Sequence, residues 1–260
     1  MKFRWVAILC LVTLPILASA QDNSTAPAPP QNPAVSAPTA KPSAPDYSQE
    51  PVVVEQYVTS VRFENDGTGE RDVTARFRIQ SDAGVRLLGQ LAFGYSSANE
   101  QMDVRYVRVR KPDGSVVTAS PSAITDMTGA VAREAPVYTD LREKHITVPD
   151  LAPGVTLEYE IDTRIVTPLA SGEFWFDHNF IRSSIVLDDR LEINVPEGRK
   201  IDLESSPSMP YQTASKNGRT IYTWKRANLT LPSDNDSQKP DNDKVPDVQL
   251  TTFKSWEAVG

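Results

Sequence analysis

Residues 157–162 read LEYEID, an alternation in which every second side chain is apolar. Successive side chains of a β-strand point to opposite faces, so the pattern predicts a strand that buries Leu157, Tyr159 and Ile161 and turns three carboxylates the other way. The same period of two recurs over residues 57–63, 73–79 and 191–195. These stretches predict antiparallel strands with one buried and one polar face.

Turn residues separate the strand-like runs. The pairs at 66–67 (DG) and 217–218 (NG), and the triplet at 112–114 (PDG), accept the positive φ of a tight hairpin. Helix candidates are short, one over 82–88 and one beginning at Ser255. Strands joined by hairpins, with no alternating βαβ pattern, predict an all-β fold, specifically an antiparallel two-sheet β-sandwich.

The sandwich is expected over residues 51–232, because the composition differs on both sides of it. Residues 21–50 contain seven prolines and six alanines, which predicts a disordered linker. Residues 233–247 are polar and acidic, which predicts a mobile loop or linker. The Asp and Asn oxygens of this loop are of the type that calcium prefers, but the Gly and Glu of an EF-hand are missing, so no metal site is predicted.

The N-terminal residues predict export. Basic residues precede an apolar run over 5–17, and residues 18–20 read ASA, a small-x-small cleavage site. Residues 1–20 are therefore expected to be a signal peptide cut between Ala20 and Gln21, with the product in the periplasm or outside the cell. A membrane anchor is the alternative, but the run is shorter than the roughly 20 residues that span a bilayer, so no stable membrane span is expected after cleavage.

Cysteine content and charge exclude several classes of function. The single cysteine, Cys10, lies inside the predicted signal peptide, so the mature chain would have no thiol for a disulfide, a thiolate metal site or a nucleophile. The chain has 27 basic and 34 acidic residues, and cleavage removes two basic ones, which leaves a net charge of −9. Nucleic acid is not expected as a partner, because binding phosphates needs a cationic surface.

Catalytic and cofactor motifs are scarce. The chain has no G-x-S-x-G turn and no G-x-x-x-x-G-K loop, and His145 and His178 have no metal-ligand spacing, so no catalytic residue, cofactor or metal is predicted. Glu158 and Glu160 would lie roughly 6.6 Å apart on one strand face, as in an inverting glycosidase pair. A general acid needs a pKa raised by burial, however, and the alternation predicts that these carboxylates face water.

The segment 172–180 (GEFWFDHNF) places aromatic residues beside two acids and a histidine. As a strand it presents Glu173, Trp175 and Asp177 on one face and His178 with two phenylalanines on the opposite, core-facing side, which predicts a packed histidine. The face of Glu173, Trp175 and Asp177 is a possible binding face, because an aromatic ring flanked by acceptors suits sugar stacking.

Four segments together resemble a known family. They are 104–117 (VRYVRVRKPDGSVV), 138–161 (YTDLREKHITVPDLAPGVTLEYEI), 172–180 and 250–260 (LTTFKSWEAVG). They look like the domain of unknown function that precedes a transglutaminase-like domain in many exported bacterial proteins. The resemblance implies a two-sheet β-sandwich and a C-terminal transglutaminase-like domain as its partner, with residues 248–260 as the start of that domain.

The resemblance assigns no catalytic residue, because the Cys-His-Asp triad belongs to the transglutaminase-like module and the chain stops before it. The leading hypothesis is therefore a non-catalytic extracytoplasmic domain, not an enzyme, that acts as an accessory or presents substrate. The alternative is a stand-alone module that binds envelope glycans or proteins through the Trp175 face. A minor alternative is a carboxylate-dependent hydrolase built on Glu158 and Glu160.

Overall fold

The structure, a computed structural model, describes residues 47–129, 140–231 and 245–253. The predicted signal peptide, nearly all of the linker, most of the acidic loop and the helix from Ser255 lie outside these residues. Within the described ranges, no helix has the length and apolar character needed to cross a membrane.

The described residues form fourteen strands, one short α-helix and one 3-10 turn. The strands are β1 (Val52–Phe63), β2 (Gly69–Ile79), β3 (Gln90–Ser96), β4 (Glu100–Arg110), β5 (Val116–Thr118), β6 (Ile124–Thr128), β7 (Leu141–Thr147), β8 (Thr156–Ile165), β9 (Trp175–His178), β10 (Ile185–Pro196), β11 (Asp202–Ser205), β12 (Tyr211–Lys216), β13 (Arg219–Asn228) and β14 (Val248–Thr251). The helix α1 (Asp82–Leu88) follows β2, and the 3-10 turn covers Pro121–Ala123.

The strands assemble into one large sheet and two small ones. The large sheet has the order β12-β13-β10-β1-β2-β8-β4-β5, and the small sheets have the orders β3-β7-β6 and β11-β14-β9. All paired neighbours are antiparallel except β1 and β10, which run parallel. The predicted all-β class with antiparallel sheets is confirmed, and the count of two sheets is corrected to three with one parallel pair. Alternation of apolar residues identifies a strand but contains no information about its neighbour or its direction.

The predicted turns and the first of the two predicted helices are confirmed. Gly67 connects β1 to β2, Gly114 connects β4 to β5, and Asn217-Gly218 connects β12 to β13, all with positive φ. Asn and Gly tolerate this conformation better than other residues, so short turn motifs located these connections correctly. The helix α1 covers the predicted range 82–88.

Both small sheets pack on the same face of the large sheet, each over its own hydrophobic cluster. The first cluster joins the large sheet to β3 and β7 and contains Leu157 and Ile146, both fully buried. The second joins it to β9, β11 and β14 and contains Trp224 and Leu250. The outer face of the large sheet is polar. The fold is thus a two-layer sandwich in which one layer is divided into two sheets.

The strand β14 lies beyond the predicted end of the sandwich. It is the central strand of its sheet, paired with β11 on one side and β9 on the other. Its residues Val248 and Leu250 are buried in the second cluster. These four residues pair within the sheets of the sandwich, whereas the sequence prediction placed them at the start of a following domain. The acidic stretch before β14 suggested a linker. The strand partners of β14 are residues 202–205 and 175–178, which lie 43 to 76 positions earlier in the chain, so the local sequence does not reveal them.

Candidate functional site

A cavity of about 380 Å³ opens between the two small sheets, on the core face of the large sheet. Neighbouring ends of β1, β2 and β8 form its floor, β9 forms one wall, and the turn from β3 to β4 forms another. We call it the β9 cavity. Its volume lies within the range of small-ligand sites.

The wall formed by β9 has an apolar side and an exposed side. Phe174 is buried, Trp175 is 46% exposed, and Asp177 is exposed. Glu173 is half-buried and its carboxylate lies 3.0 Å from the Arg199 guanidinium. The alternation predicted for this segment is therefore confirmed, and the three residues of the predicted binding face, Glu173, Trp175 and Asp177, all line the β9 cavity.

The turn between β1 and β2 holds the start of this wall in place. Gly67 has a φ of +87°, and a Cβ atom there would lie 2.6 Å from the carbonyl oxygen of Glu173. Next to this contact, the Phe174 ring stacks on Phe63 with centroids 4.3 Å apart. Because only glycine permits such an approach, a hairpin predicted from sequence also positions the wall of the cavity.

Arg71 lies on the floor of the β9 cavity and was not predicted as a functional residue. It has the same parity on β2 as Val73, so it faces the core side, between Val61 and Thr163 of the adjacent strands. Arg71 is half-buried, and among the described residues no carboxylate pairs with it. The signal was present in the sequence, since an arginine interrupts the apolar face of a strand at this position.

The wall opposite β9 has two carboxylates that are held by one serine. The backbone N–H of Ser96 donates to Glu100 Oε2 at 2.9 Å, and the Ser96 hydroxyl donates to Asp140 Oδ2 at 2.6 Å. At the rim, Leu169 is 65% exposed. The cavity thus combines an apolar surface with fixed charges, which suits a ligand that has an apolar body and a charged end.

His178 is a packed side chain, as predicted. Its ring lies 6.2 Å from Phe176 and 4.8 Å from Phe180, measured between centroids. Burial lowers the pKa of His178 to about 4, against the opposing charge of Asp247, so the ring is neutral at neutral pH. His145 lies on β7, in the other small sheet. Within the described ranges no group of three or more His, Cys, Asp and Glu side chains is placed to hold a metal ion.

The carboxylates of β8 lie on the outer face, as predicted, but Glu158 and Asp162 do not face water, and Glu160 is half-buried. Glu158 is 4% exposed and Asp162 is fully buried, because arginine side chains cover them. Burial alone would raise the pKa of Glu158, but hydrogen bonds and charges from Arg108 and Arg110 outweigh it and hold this pKa below its ordinary value. Glu158 therefore lacks the raised pKa that a general acid requires.

A family model and several solved structures match this chain. A family model described as a Domain of Unknown Function with solved-structure structure (DUF3857) matches residues 65–232. Among solved structures, a candidate protease from Parabacteroides distasonis is similar with a TM-score of 0.69 and 19% identity, over 80% of this chain and 41% of that one. An M1 zinc metallopeptidase from Deinococcus radiodurans gives a TM-score of 0.36 and 12% identity, over 77% of this chain and 42% of the other. No curated protein sequence matches the chain.

The coverage of these structures is asymmetric. The chain spans about two fifths of the length of each. The first similarity shows the fold, which both proteins share at low sequence identity.

Proposed function

The chain belongs to the DUF3857 family, and we propose that it is a non-catalytic, extracytoplasmic domain that presents a substrate segment to a transglutaminase-like module of the same protein. The similarity to less than half of a candidate protease supports a role beside a larger enzyme. The sequence features of export and the resemblance to the domain that precedes transglutaminase-like modules support the location and the partner.

The observation that carries the proposal is a free strand edge beside the β9 cavity. β9 pairs with β14 on one side only, and among the described residues no strand pairs with its other side. An extended peptide can add to such an edge through main-chain hydrogen bonds while its side chains enter neighbouring pockets. The exposed side chains of Trp175 and Leu169 offer an apolar surface beside this strand edge.

The residues that could act as a general base, a general acid or a nucleophile are poorly suited to catalysis. His178 is neutral and packed among aromatic rings, so it does not reach a substrate as a general base. Glu158 is ionised and covered by arginines. The only thiol, Cys10, falls in the predicted signal peptide. Binding and presentation are therefore the functions that this geometry favours.

Photocrosslinking in the native full-length protein tests the proposal. A benzophenone amino acid at Leu169, on the cavity rim, should crosslink to substrate protein or to the enzyme module. The matched control is Leu87 on α1, which is 62% exposed against 65% for Leu169 but lies away from the cavity. Equal crosslinking from both positions, or none from Leu169, would contradict the proposed presentation of substrate.

A second candidate function is binding of envelope glycans by a stand-alone module. It is favoured by the side-by-side exposure of Trp175 and Asp177, an aromatic face next to a hydrogen-bond acceptor. Titration with cell-wall fragments should then change tryptophan fluorescence, and Trp175→Ala should abolish the change. Leu87→Ala, which removes a similarly exposed apolar side chain elsewhere, should leave it intact.

A further inference from the structure

The β9 cavity contains a cation, Arg71, that forms no ion pair with any carboxylate of the described residues. Arg71 projects from β2 to the core side, where its neighbours in the sheet are the buried residues Val61 and Thr163. A half-buried guanidinium without a carboxylate partner is unusual, because desolvation of a charge is costly unless an ion pair or hydrogen bonds offset it.

The remaining charged groups of the cavity are already engaged or point outward. Glu173 is paired with Arg199, and Ser96 holds both Glu100 and Asp140 by hydrogen bonds. Arg71 is thus the cation of this lining, and among the described residues it has no carboxylate partner.

The charge of Arg71 reaches the β9 wall. It contributes to the lowering of the pKa of His178, after the larger effect of burial, so its guanidinium lies within electrostatic range of that strand. Because His178 is neutral, it does not share the attraction of an anion with Arg71. Among the described residues that line the cavity, Arg71 is the one cation, so a ligand lying along β9 meets its positive charge at the floor.

From this arrangement we infer that the β9 cavity binds the free C-terminal carboxylate of a peptide, with the carboxylate on Arg71 and an apolar terminal side chain against Phe174 and Trp175. The inference rests on the proposed function, since it specifies which part of a substrate peptide the cavity holds. An arginine fork matches the two oxygens of a carboxylate, and a free strand edge fits the extended chain that precedes it.

The first test is calorimetric titration of the protein with N-acetyl-alanyl-phenylalanine and with its C-terminal amide. The two peptides differ in the carboxylate alone, so the acid should bind roughly ten- to hundred-fold more tightly, as expected for a hydrogen-bonded charge pair. Equal affinity for acid and amide overturns the inference. It leaves the presentation of substrate standing if Leu169 still crosslinks to substrate, so the two failures are distinguishable.

Variants then assign the effect to Arg71. Arg71→Gln should reduce the affinity for the acid to that for the amide, and Arg71→Lys should restore part of it, because lysine keeps the charge without the planar fork. The matched control is Arg78→Gln on the outer face of the same strand, where Arg78 pairs with Glu55 at 3.4 Å. Loss of the acid preference in Arg78→Gln, or its survival in Arg71→Gln, overturns the assignment.

A third arm separates the two sources of a carboxylate. Free 3-phenylpropanoate has the ring and the carboxylate but no peptide backbone to pair with β9. Weaker binding than that of the dipeptide acid supports a peptide terminus as the ligand, whereas equal binding overturns that part of the inference in favour of small carboxylic acids. The comparison of acid and amide on the unmodified protein needs no variant, so it stands even if Arg71→Gln does not fold.

Discussion

Two buried titratable groups should give opposite pH dependences of stability in the same range. Asp189 is 1% exposed, and its Oδ2 accepts a hydrogen bond from the Ile181 backbone N–H at 3.1 Å, while its Oδ1 has no hydrogen-bond partner in the structure. Burial raises the pKa of Asp189 to about 6. The folded chain therefore binds a proton that the unfolded chain releases, so Asp189 makes the free energy of unfolding fall as the pH rises from about 4 to about 6.

The magnitude follows from the size of the shift. A change from 3.8 to about 6 corresponds to about 3 kcal/mol. His178 acts in the other direction: its pKa falls from 6.5 to about 4, so the unfolded chain binds the extra proton and stability rises by about 3 kcal/mol between about pH 4 and 6.5. The two contributions nearly cancel, and substitution of either residue should reveal the other.

The perturbations are Asp189→Asn and His178→Phe. The assay is urea unfolding, followed by the fluorescence of buried Trp224, at several pH values from about 4 to about 7. As the pH rises from about 4 to about 6, the free energy of unfolding of Asp189→Asn should increase by about 3 kcal/mol relative to that of the parent protein. As the pH rises from about 4 to about 6.5, that of His178→Phe should decrease by about 3 kcal/mol relative to the parent. A phenyl ring suits this position, because Phe176 and Phe180 already surround the His178 ring. Parallel stability curves for Asp189→Asn and the parent would refute the argument, because Asp189 would then be ionised throughout.

Three further outcomes are expected. Glu158→Gln should lower the free energy of unfolding by about 1–3 kcal/mol at neutral pH. The effect should be smaller in acid, because the stabilisation from the lowered pKa of Glu158 is lost as the pH falls below about 4.5. Urea unfolding at both pH values checks this. Gly67→Ala should lower the melting temperature more than Gly114→Ala, because both have positive φ but only the first would bring a Cβ against the carbonyl of Glu173. Trp224→Ala should cost about 3–5 kcal/mol in chemical denaturation, since this side chain is 1% exposed.

Local patterns predicted the strands and turns because their physical causes are local. The alternation at 157–162 follows from the geometry of one strand, and the positive φ at 217–218 follows from the residues of one turn. The pairing of β1 with β10 depends on contacts between residues more than 120 positions apart, as in Val61 and Ile193. A single sequence gives no measure of such contacts, so the parallel pair and the third sheet were missed.

In the candidate site too, the features with local causes were predicted and those that depend on distant contacts were not. The exposed face of Glu173, Trp175 and Asp177 was predicted from alternation within one strand. That Arg71 lies near this strand depends on how β2 and β9 come together across the sandwich, which alternation cannot reveal. The expectation that Glu158 faces water failed for a related reason, because the arginines that cover it come from a different strand.

The costs of this fold concentrate where its two hydrophobic clusters meet. Arg71 lacks a carboxylate partner, Asp189 has an unpartnered oxygen, and the Nε2 of His178 has no hydrogen-bond partner among the described residues. A fold selected for stability alone would fill this junction with apolar side chains. Of these groups, Arg71 lines the open β9 cavity, and a polar group held there without a partner remains available to a ligand. The junction is therefore the part of the domain where variants should affect binding and stability in opposite directions.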